Sequence, residues 1–259
     1  MATSDPTVKT TAAVDETGVE TDTILQTRGL RKQFGGLTAT DDVDFGIDEG
    51  ELRCLIGPNG AGKSTFLKLL TGRLEPTAGS IYYDGDEIGH LPSHERVSRG
   101  ISMKFQVPSI YPDLSVRENL RIPLQRIADP DTFEQRTRET LERFHLEGTA
   151  DETAANLSHG QQQRLEIAMA MTLEPTLMLL DEPVAGLSVE ETAEVADLLR
   201  TINAEDDVAF VVIEHDIDFV ETIADQVTVL HDGAIFREGS IEDVRNDPAV
   251  KRIYLGEEE

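Results

Sequence analysis

The sequence predicts an α/β fold built from parallel βα units, and three observations support this prediction. An apolar run at 51–56 leads into a glycine-rich loop, and residues that favour a helix follow it. Two further apolar runs, 177–180 and 208–213, each follow a segment with helical spacing. Short apolar runs that alternate with helices are typical of strands that are parallel and buried on both faces.

The amino-terminal part is predicted to hold a tail and a small antiparallel sheet. Residues 1–23 are rich in Thr and acidic residues and have almost no large apolar side chains. We expect this tail to be disordered, because it cannot bury enough apolar surface to offset its conformational entropy. Ordered structure is expected from Ile24. The segments 24–27 and 43–47 alternate apolar and polar side chains, which predicts two strands of an antiparallel β subdomain.

The loop at 57–65 satisfies the spacing GxxxxGK[ST] at every defining position. Its glycines let backbone amides turn toward phosphates, Lys63 can reach the outer phosphates, and the Ser64 hydroxyl can ligate magnesium. A glycine-rich turn without a ligand is the alternative, but the strand before the loop and the helix after it match the context of a phosphate site. The loop therefore predicts ATP binding by Gly57, Pro58, Asn59, Gly60, Ala61, Gly62, Lys63, Ser64 and Thr65.

The stretch from about 92 to 157 differs from the rest of the chain. It is poor in β-branched runs, and Phe133, Leu141, Phe144 and Leu146 recur at spacings that suit a surface helix ending near Gly148. We interpret this stretch as an inserted helical subdomain. The chain is expected to close with ordered segments at 235–239 and 250–255 and a short acidic end at 257–259.

Catalytic side chains are predicted where two buried strands end. Asp181 and Glu182 directly follow one apolar run, and His215 follows another. Because the carboxyl ends of parallel strands form ligand sites, Asp181 is expected to hold a magnesium ion, while Glu182 faces the water that attacks the γ-phosphate. His215 could contact the phosphate and that water. The alternatives are a polar turn after a strand and a structural histidine.

Two more segments are candidates for nucleotide contacts. Ser158 and Gly160 precede a good helix former at 165–170, which predicts a helix N-cap and a close approach for an anion. Taken alone, this segment is a capped helix. Gln106 carries an amide that could alternate between the metal and a partner, and a surface glutamine is the alternative.

The charge of the chain excludes one class of partner. The sequence has 50 Asp and Glu against 23 Lys and Arg, a formal net charge of −27, which argues against a nucleic-acid-binding surface. Acid excess with few lysines suggests a protein adapted to concentrated salt, where self-repulsion is screened. An ordinary acidic protein is the alternative. The lysines are Lys9, Lys32, Lys63, Lys68, Lys104 and Lys251.

Cysteine use and hydropathy indicate the compartment. Cys54 is the single cysteine, so no internal disulfide can form, and its apolar surroundings predict a buried, reduced thiol. No apolar stretch approaches the roughly 18 residues of a membrane span, and the amino terminus lacks the features of a signal peptide. The chain is expected to be cytoplasmic.

Taken in order, these motifs resemble the ATP-binding cassette family over residues 24–256. The order comprises the phosphate loop, a switch glutamine at Gln106, a signature segment at 157–161, Asp181 with Glu182, a following loop at 185–188, and a switch histidine at His215. The resemblance implies an ABC-type P-loop ATPase with a RecA-like mixed sheet core. It also implies that Phe34 stacks on adenine, with a core phenylalanine as the alternative.

Four longer phrases, at 51–57, 157–167, 181–186 and 213–220, are similar to the branched-chain amino acid and urea importer group, and most similar to its urea-type ATPase subunit. The departure from the family pattern is His159, which stands where the common signature has glycine. The resemblance implies uptake of urea or short amides, with branched-chain amino acids as the alternative.

The resemblance further implies how the subunit works. Two ATP molecules with Mg²⁺ are held in a head-to-tail dimer with a second ATPase subunit, identical or related. Glu182 and His215 are catalytic, Ser64, Gln106 and Asp181 serve the metal, and the partner supplies Ser158, His159, Gly160 and Gln161. Two separate permease subunits, and indirectly an extracytoplasmic binding protein, complete the importer, so the chain is expected to lie peripherally on the inner membrane face. A soluble cassette ATPase and a nucleotide-binding regulator without turnover are the rival classes.

Overall fold

Two sheets form the framework of the protein. The computed structural model describes residues 23–104, 110–127 and 129–255. Most of the predicted tail, the predicted acidic end and Gln106 therefore lie outside the described residues. The strands are β1 (Thr23–Phe34), β2 (Leu37–Asp48), β3 (Leu52–Ile56), β4 (Ala78–Tyr83), β5 (Asp86–Glu87), β6 (Ile101–Lys104), β7 (Leu177–Asp181), β8 (Ala209–Ile213), β9 (Gln226–His231) and β10 (Ala234–Gly239).

Helices cover the faces of these sheets. They are α1 (Lys63–Leu70), α2 (Ser93–Ser98), α3 (Val116–Leu124), α4 (Phe133–Arg143), α5 (His159–Met171), α6 (Val189–Asp206), α7 (Ile217–Ile223), α8 (Ile241–Asn246) and α9 (Pro248–Leu255). In the part of the chain that the structure describes, none of these helices has the length and apolar character needed to cross a bilayer.

The smaller sheet is antiparallel, with strand order β2-β1-β4-β5. The two strands predicted at its start are confirmed, and both are longer than expected. Thr27 on β1 pairs with Phe45 on β2, and Leu25 pairs with Ile47. Leu25, Phe45 and Ile47 are buried, so the alternating pattern places one face of this sheet on the core, as antiparallel sheets require.

The larger sheet is mixed, with strand order β10-β9-β3-β8-β7-β6. The five strands β9, β3, β8, β7 and β6 run parallel to one another, and β10 pairs antiparallel with β9. Every residue of β7 and β8 is buried, which explains their continuous apolar sequences. Because β3, β8 and β7 are adjacent, the loops that follow them meet at one edge of the sheet.

The stretch predicted to be an inserted helical subdomain contains one strand of this sheet. Strand β6 pairs in parallel with β7, Ile101 opposite Leu177, so four residues within 92–157 belong to the sheet. Helices α3 and α4 follow later in the stretch. A four-residue strand is too short to show a periodic pattern, which is why the sequence did not reveal it.

Helix α4 ends five residues earlier than predicted. It ends at Arg143, and His145 adopts a left-handed conformation with φ of 53°. The amide of Leu146 donates to the carbonyl of Leu141 at 2.8 Å, and that of His145 to Glu142 at 3.2 Å. These are the bonds of a Schellman motif, which normally has glycine at the left-handed position. Because position 145 holds histidine, the sequence has no glycine that would mark the end of the helix before Gly148.

The carboxyl end of α1 is fixed by a buried arginine. The guanidinium of Arg96, on α2, donates to the carbonyl oxygens of Leu69 and Leu70 at 2.7 and 2.8 Å and to those of Leu91 and Gly89. These bonds satisfy carbonyl groups that a helix end leaves open. They anchor the helix that starts at the phosphate loop.

Candidate functional site

The predicted phosphate loop lies between β3 and α1, where its glycines make close backbone approaches. Gly57 has φ of 148°, and a Cβ on it would lie 2.2 Å from the carbonyl oxygen of Leu230. Gly62 has φ of 101°, and a Cβ there would lie 2.3 Å from the carbonyl oxygen of Ala39. Both positions exclude a side chain, so the motif glycines are required by this loop conformation.

Helix α1 begins without a side-chain cap. Its N-cap residue, Gly62, makes no side-chain hydrogen bond to the first turn, and that turn contains no acidic residue. In contrast, α3, α5 and α6 each begin with a complete capping box. The open amides and the helix dipole make the start of α1 suited to an anion.

Lys63 is folded back over the phosphate loop. Its Nζ donates to the carbonyl oxygens of Gly57 at 2.6 Å and Pro58 at 3.1 Å, and the residue is buried. Burial lowers the pKa of Lys63, while the nearby negative charges of Glu182 and Asp181 act in the opposite direction. The lysine is thus a partly desolvated cation beside two carboxylates, a setting that favours binding of polyphosphate.

The three predicted residues at the strand ends come together. Asp181 is the last residue of β7 and is buried, and Glu182 follows it. The Nε2 atom of His215, which follows β8, lies 3.1 Å from Oε1 of Glu182. Glu182 has φ of 50°, a left-handed conformation that is uncommon for a residue with a side chain. Such strain is concentrated at functional sites.

A cavity of about 380 Å³ joins the phosphate loop, Glu182 and His215. It is lined by Phe34, Leu37, Thr38, Ala39, Asn59, Gly60, Ala61, Gly62, Lys63, Ser64, Thr65, Glu182 and His215. Phe34 is 45% exposed, so its ring is available for stacking. The phosphate loop, a lysine, a hydroxyl, a carboxylate and an imidazole around one cavity form a donor set that fits a nucleoside triphosphate with a divalent cation.

The signature segment lies elsewhere. Ser158 is the N-cap of α5, as predicted, and its hydroxyl accepts from the amide of Gln161 at 3.2 Å. The amide of Gly160 donates to Oε1 of Glu191 at 3.1 Å, and the Ser158 hydroxyl donates to the same oxygen at 3.4 Å. His159 is exposed. Among the described residues, those that line the cavity do not include 158–161.

Two glutamates, one beside the signature segment and one beside the cavity, have structural roles that the sequence did not predict. Glu191 accepts hydrogen bonds from both Gly160 and the amide of Ser188, which lowers its pKa. Glu214 is buried between the loops that follow β7 and β8. Each of them bonds to a segment about 30 residues away, which spacing alone does not reveal. A charged residue in the otherwise apolar run ending at His215 was the available signal for Glu214.

A family model described as "ABC transporter" matches residues 40–185. The chain is 36% identical over 250 residues to the high-affinity branched-chain amino acid transport ATP-binding protein BraF of Pseudomonas aeruginosa, covering 90% of this chain and 98% of that protein. It is 35% identical over 251 residues to the protein of the same description, LivG, of Escherichia coli, with coverage of 90% and 98%.

Solved structures of ATP-binding cassettes have the same fold. The ADP conformation of MJ1267, an ATP-binding cassette of an ABC transporter, superposes with a TM-score of 0.82 at 30% identity and covers 91% of this chain and 99% of that one. A dimeric, post-hydrolysis state of the cassette MJ0796 bound to ADP and Pi gives a TM-score of 0.75 at 30% identity, covering 84% of this chain and 98% of that one.

Proposed function

Because the chain belongs to the ATP-binding cassette (ABC) transporter family and is an ATPase of that family, we propose that it is the ATP-hydrolysing subunit of an importer for branched-chain amino acids. The observation that carries the catalytic part is the convergence of Lys63, Glu182 and His215 on one cavity beside the phosphate loop. The observation that carries the substrate is the similarity to BraF and LivG along nearly their whole length.

The proposed roles follow from the chemistry of each side chain. Glu182 accepts the proton of the attacking water, and His215, within hydrogen-bond distance of Glu182, orients that water and the phosphate. Lys63 and the open amides of α1 hold the phosphates. Phe34 stacks on the adenine ring, which its exposed position supports.

We propose that Ser64 and Asp181 hold Mg²⁺, with Gln106, which lies outside the described residues, as a further ligand. When bound, this ion neutralises charge that develops on the transferred phosphoryl group. The Ser64 hydroxyl lines the cavity, and the Asp181 carboxylate ends the adjacent strand. Oxygen ligands of these two types are the ones that Mg²⁺ prefers.

The active form is proposed to be a head-to-tail dimer with a second ATPase subunit, either another copy of this chain or a related protein. Ser158, His159, Gly160 and Gln161 would then contact the nucleotide held by that subunit. The dimeric state of the similar cassette MJ0796 supports this arrangement. The separation of residues 158–161 from the residues that line the chain's own cavity is consistent with it.

Two permease subunits are proposed to dock on the helical region. A groove of about 380 Å³ lies between α2, β6, α3 and α5, and Met103, Tyr111 and Arg126 are among its lining residues. The chain would therefore act in the cytoplasm on the inner face of the membrane, and an extracytoplasmic binding protein would deliver substrate to the permeases. Nucleic acid is not a proposed partner, because the net charge of −27 opposes it.

The substrate proposal differs from the sequence-based expectation. The phrases around the motifs favoured the urea-type subunit, whereas BraF and LivG are named for branched-chain amino acid transport. The ATPase subunit carries few direct signals of substrate, because the transported molecule contacts other proteins of the complex. We therefore adopt the alternative stated above and treat urea as the competing outcome of the test.

Uptake measurements test this proposal. Disruption of the gene should abolish accumulation of labelled leucine and leave uptake of labelled urea unchanged. The wild-type gene should restore leucine uptake, and the Glu182→Gln variant should not. Loss of urea uptake with normal leucine uptake would reverse the substrate assignment, and normal uptake of both would refute the importer role in this form.

A further inference from the structure

Glu214 connects the two loops that carry the proposed catalytic residues. It is the residue after β8, and it is only 4% exposed. Its Oε1 accepts a hydrogen bond from the amide of Val184 at 2.9 Å, and its Oε2 accepts one from the amide of His215 at 3.0 Å. The two oxygens of one rigid carboxylate therefore bond to two different loops.

The bond to Val184 supports a strained conformation. Glu182 lies two residues before Val184 and has a left-handed φ of 50°. A residue in such a conformation costs about 1–3 kcal/mol and persists only when its surroundings fix it. The amide of Glu182 donates to the carbonyl of Ile213 at 2.9 Å, and the amide of Val184 donates to Glu214, the residue after β8. These two bonds fix the backbone of the loop at Glu182 and at Val184, two residues later.

The bond from the amide of His215 to Glu214 fixes the second loop, which carries the imidazole. The backbone of His215 is held by Glu214, while Asp216 caps α7 by accepting from the amide of Phe219 at 3.0 Å. The imidazole is thus carried by a short segment that is held on both sides. Its Nε2 reaches Oε1 of Glu182 at 3.1 Å.

Burying the carboxylate of Glu214 costs free energy, which an apolar packing residue would not require. Burial raises the pKa of its carboxyl, and hydrogen bonds from the backbone of Val184, His215 and Asp216 act in the opposite direction. A carboxylate without such donors would not remain charged in this position. Packing alone would be served by an apolar residue of the same size.

We propose that Glu214 is a positioning residue for ATP hydrolysis, which sets the distance between Glu182 and His215 by bonding to the backbone of both loops. The inference rests on the catalytic roles proposed above for these two residues. It assigns no contact between Glu214 and the nucleotide.

The test compares purified full-length wild-type chain with Glu214→Gln. The amide presents an NH₂ group where one backbone N–H now finds an oxygen, so one loop loses its bond while side-chain volume is preserved. We expect kcat to fall by about 10–100-fold, because misplacement on the order of 1 Å has such effects. The Kd for MgATP, measured with a fluorescent analogue, should stay within about threefold of the wild-type value. A larger change in Kd would indicate that ground-state binding of the nucleotide is altered.

The matched control is Glu51→Gln. Glu51 also accepts a hydrogen bond from a backbone amide, that of Asp48 at 3.0 Å, but it lies before β3, at the opposite end of that strand from the phosphate loop. Its replacement should leave kcat unchanged. If Glu214→Gln does not fold, Glu214→Asp keeps the charge but is too short to reach both amides, and it should show the same selective loss of kcat.

A double-mutant cycle separates positioning from a purely structural role. If Glu214 acts by setting the spacing of the Glu182 and His215 side chains, the loss of kcat in Glu214→Gln combined with His215→Ala should be smaller than the product of the two single losses. The proposal would be overturned if the two losses of kcat multiplied in the double variant, or if Glu214→Gln had the kcat of wild type. It would also be overturned if a fall in the MgATP affinity and Tm of Glu214→Gln accounted for its lost rate. A wild-type chain that neither bound nor hydrolysed MgATP would instead overturn the proposed function, and this inference with it.

Discussion

The imidazole Nε2 of His215 lies 3.1 Å from the carboxylate Oε1 of Glu182, although the two residues follow different strands. Strands β7 and β8 are adjacent, and Asp181 pairs with Ile213 at the end of this ladder. The residue that follows Asp181 and the second residue after Ile213 are thereby brought side by side. The contact is a direct result of parallel strand pairing.

Replacing Glu182 by Gln should abolish turnover and retain binding. The amide keeps the shape of the carboxylate but cannot accept a proton, and general-base groups typically contribute about 10²–10⁴-fold to rate. Steady-state phosphate release measures the loss. Size-exclusion chromatography with MgATP should show accumulation of a dimer. The control is Glu190→Gln, a change at an exposed glutamate on α6, which should behave as wild type. A Glu182→Gln protein with wild-type turnover would refute the role assigned to Glu182.

Lys63→Met should remove the stabilisation by nucleotide. A ligand at about 100 times its Kd stabilises the folded state by about 2.7 kcal/mol, which raises Tm. Without the ammonium group, the phosphate loop keeps its amides but lacks the cation that bonds to Gly57 and Pro58. Thermal unfolding with and without MgATP is the measurement. Lys68→Met, an exposed lysine on the same helix, should keep the full shift, and an equal shift in both variants would contradict the prediction.

Gly62→Ala should destabilise the fold itself. Its φ of 101° is unfavourable for alanine, and the added Cβ would meet the carbonyl oxygen of Ala39 at 2.3 Å. Together, backbone strain and overlap should lower the free energy of unfolding by about 2–5 kcal/mol. Urea unfolding measures this. The control is Gly148→Ala, an exposed position where a Cβ meets nothing within 4 Å. Equal stability of the two variants would show that the loop can relax.

Glu191 should contribute to stability in a pH-dependent way. Hydrogen bonds from the backbone of Ser188 and Gly160 hold its pKa below the ordinary value of 4.5. A lowered carboxyl pKa stabilises the folded state above the unfolded-state pKa, and this contribution is lost as pH falls through the folded-state value. The difference in unfolding free energy between wild type and Glu191→Gln should therefore shrink as the pH is lowered below about 4.5. A difference that stays constant or grows would contradict this assignment.

The salt requirement suggested by composition remains a prediction. With a net charge of −27, repulsion among exposed carboxylates opposes the folded state. Raising potassium chloride from about 0.1 M to about 1 M shortens the screening length from about 10 Å to about 3 Å, so Tm should rise. A Tm that does not change with salt would contradict adaptation to a high-salt habitat. Sodium chloride at equal ionic strength is the control for a specific ion effect.

The sequence predicted the parts of the site whose signal is local. Residues 57–65, 181–182 and 215 follow strands that read as apolar runs, so their meeting at one sheet edge could be expected from parallel pairing. The charge of Glu214 in an apolar run is visible in the sequence, but its role could not be predicted, because that role depends on the amide of Val184, 30 positions away in the chain. The same reason hid the bond from Gly160 to Glu191.

The limits at the level of secondary structure have a different cause. Strand β6 has four residues, which is too few to distinguish it from the helical segments around it. Helix α4 is followed by a histidine in a left-handed conformation, whereas the residue type that usually marks such an end is glycine. Short elements and unusual cap residues are decided by tertiary contacts, which a single sequence does not display.

The start of α1 is uncapped because its N-cap residue, Gly62, has no side chain. Serine, threonine and aspartate begin helices well because their side chains bond to the first amides. At position 62 a side chain is excluded by the left-handed φ of 101° and by the carbonyl oxygen of Ala39, so those amides stay open to an incoming anion. The helix is therefore less stable at this turn than a capped helix would be, and a bound anion can make up that difference.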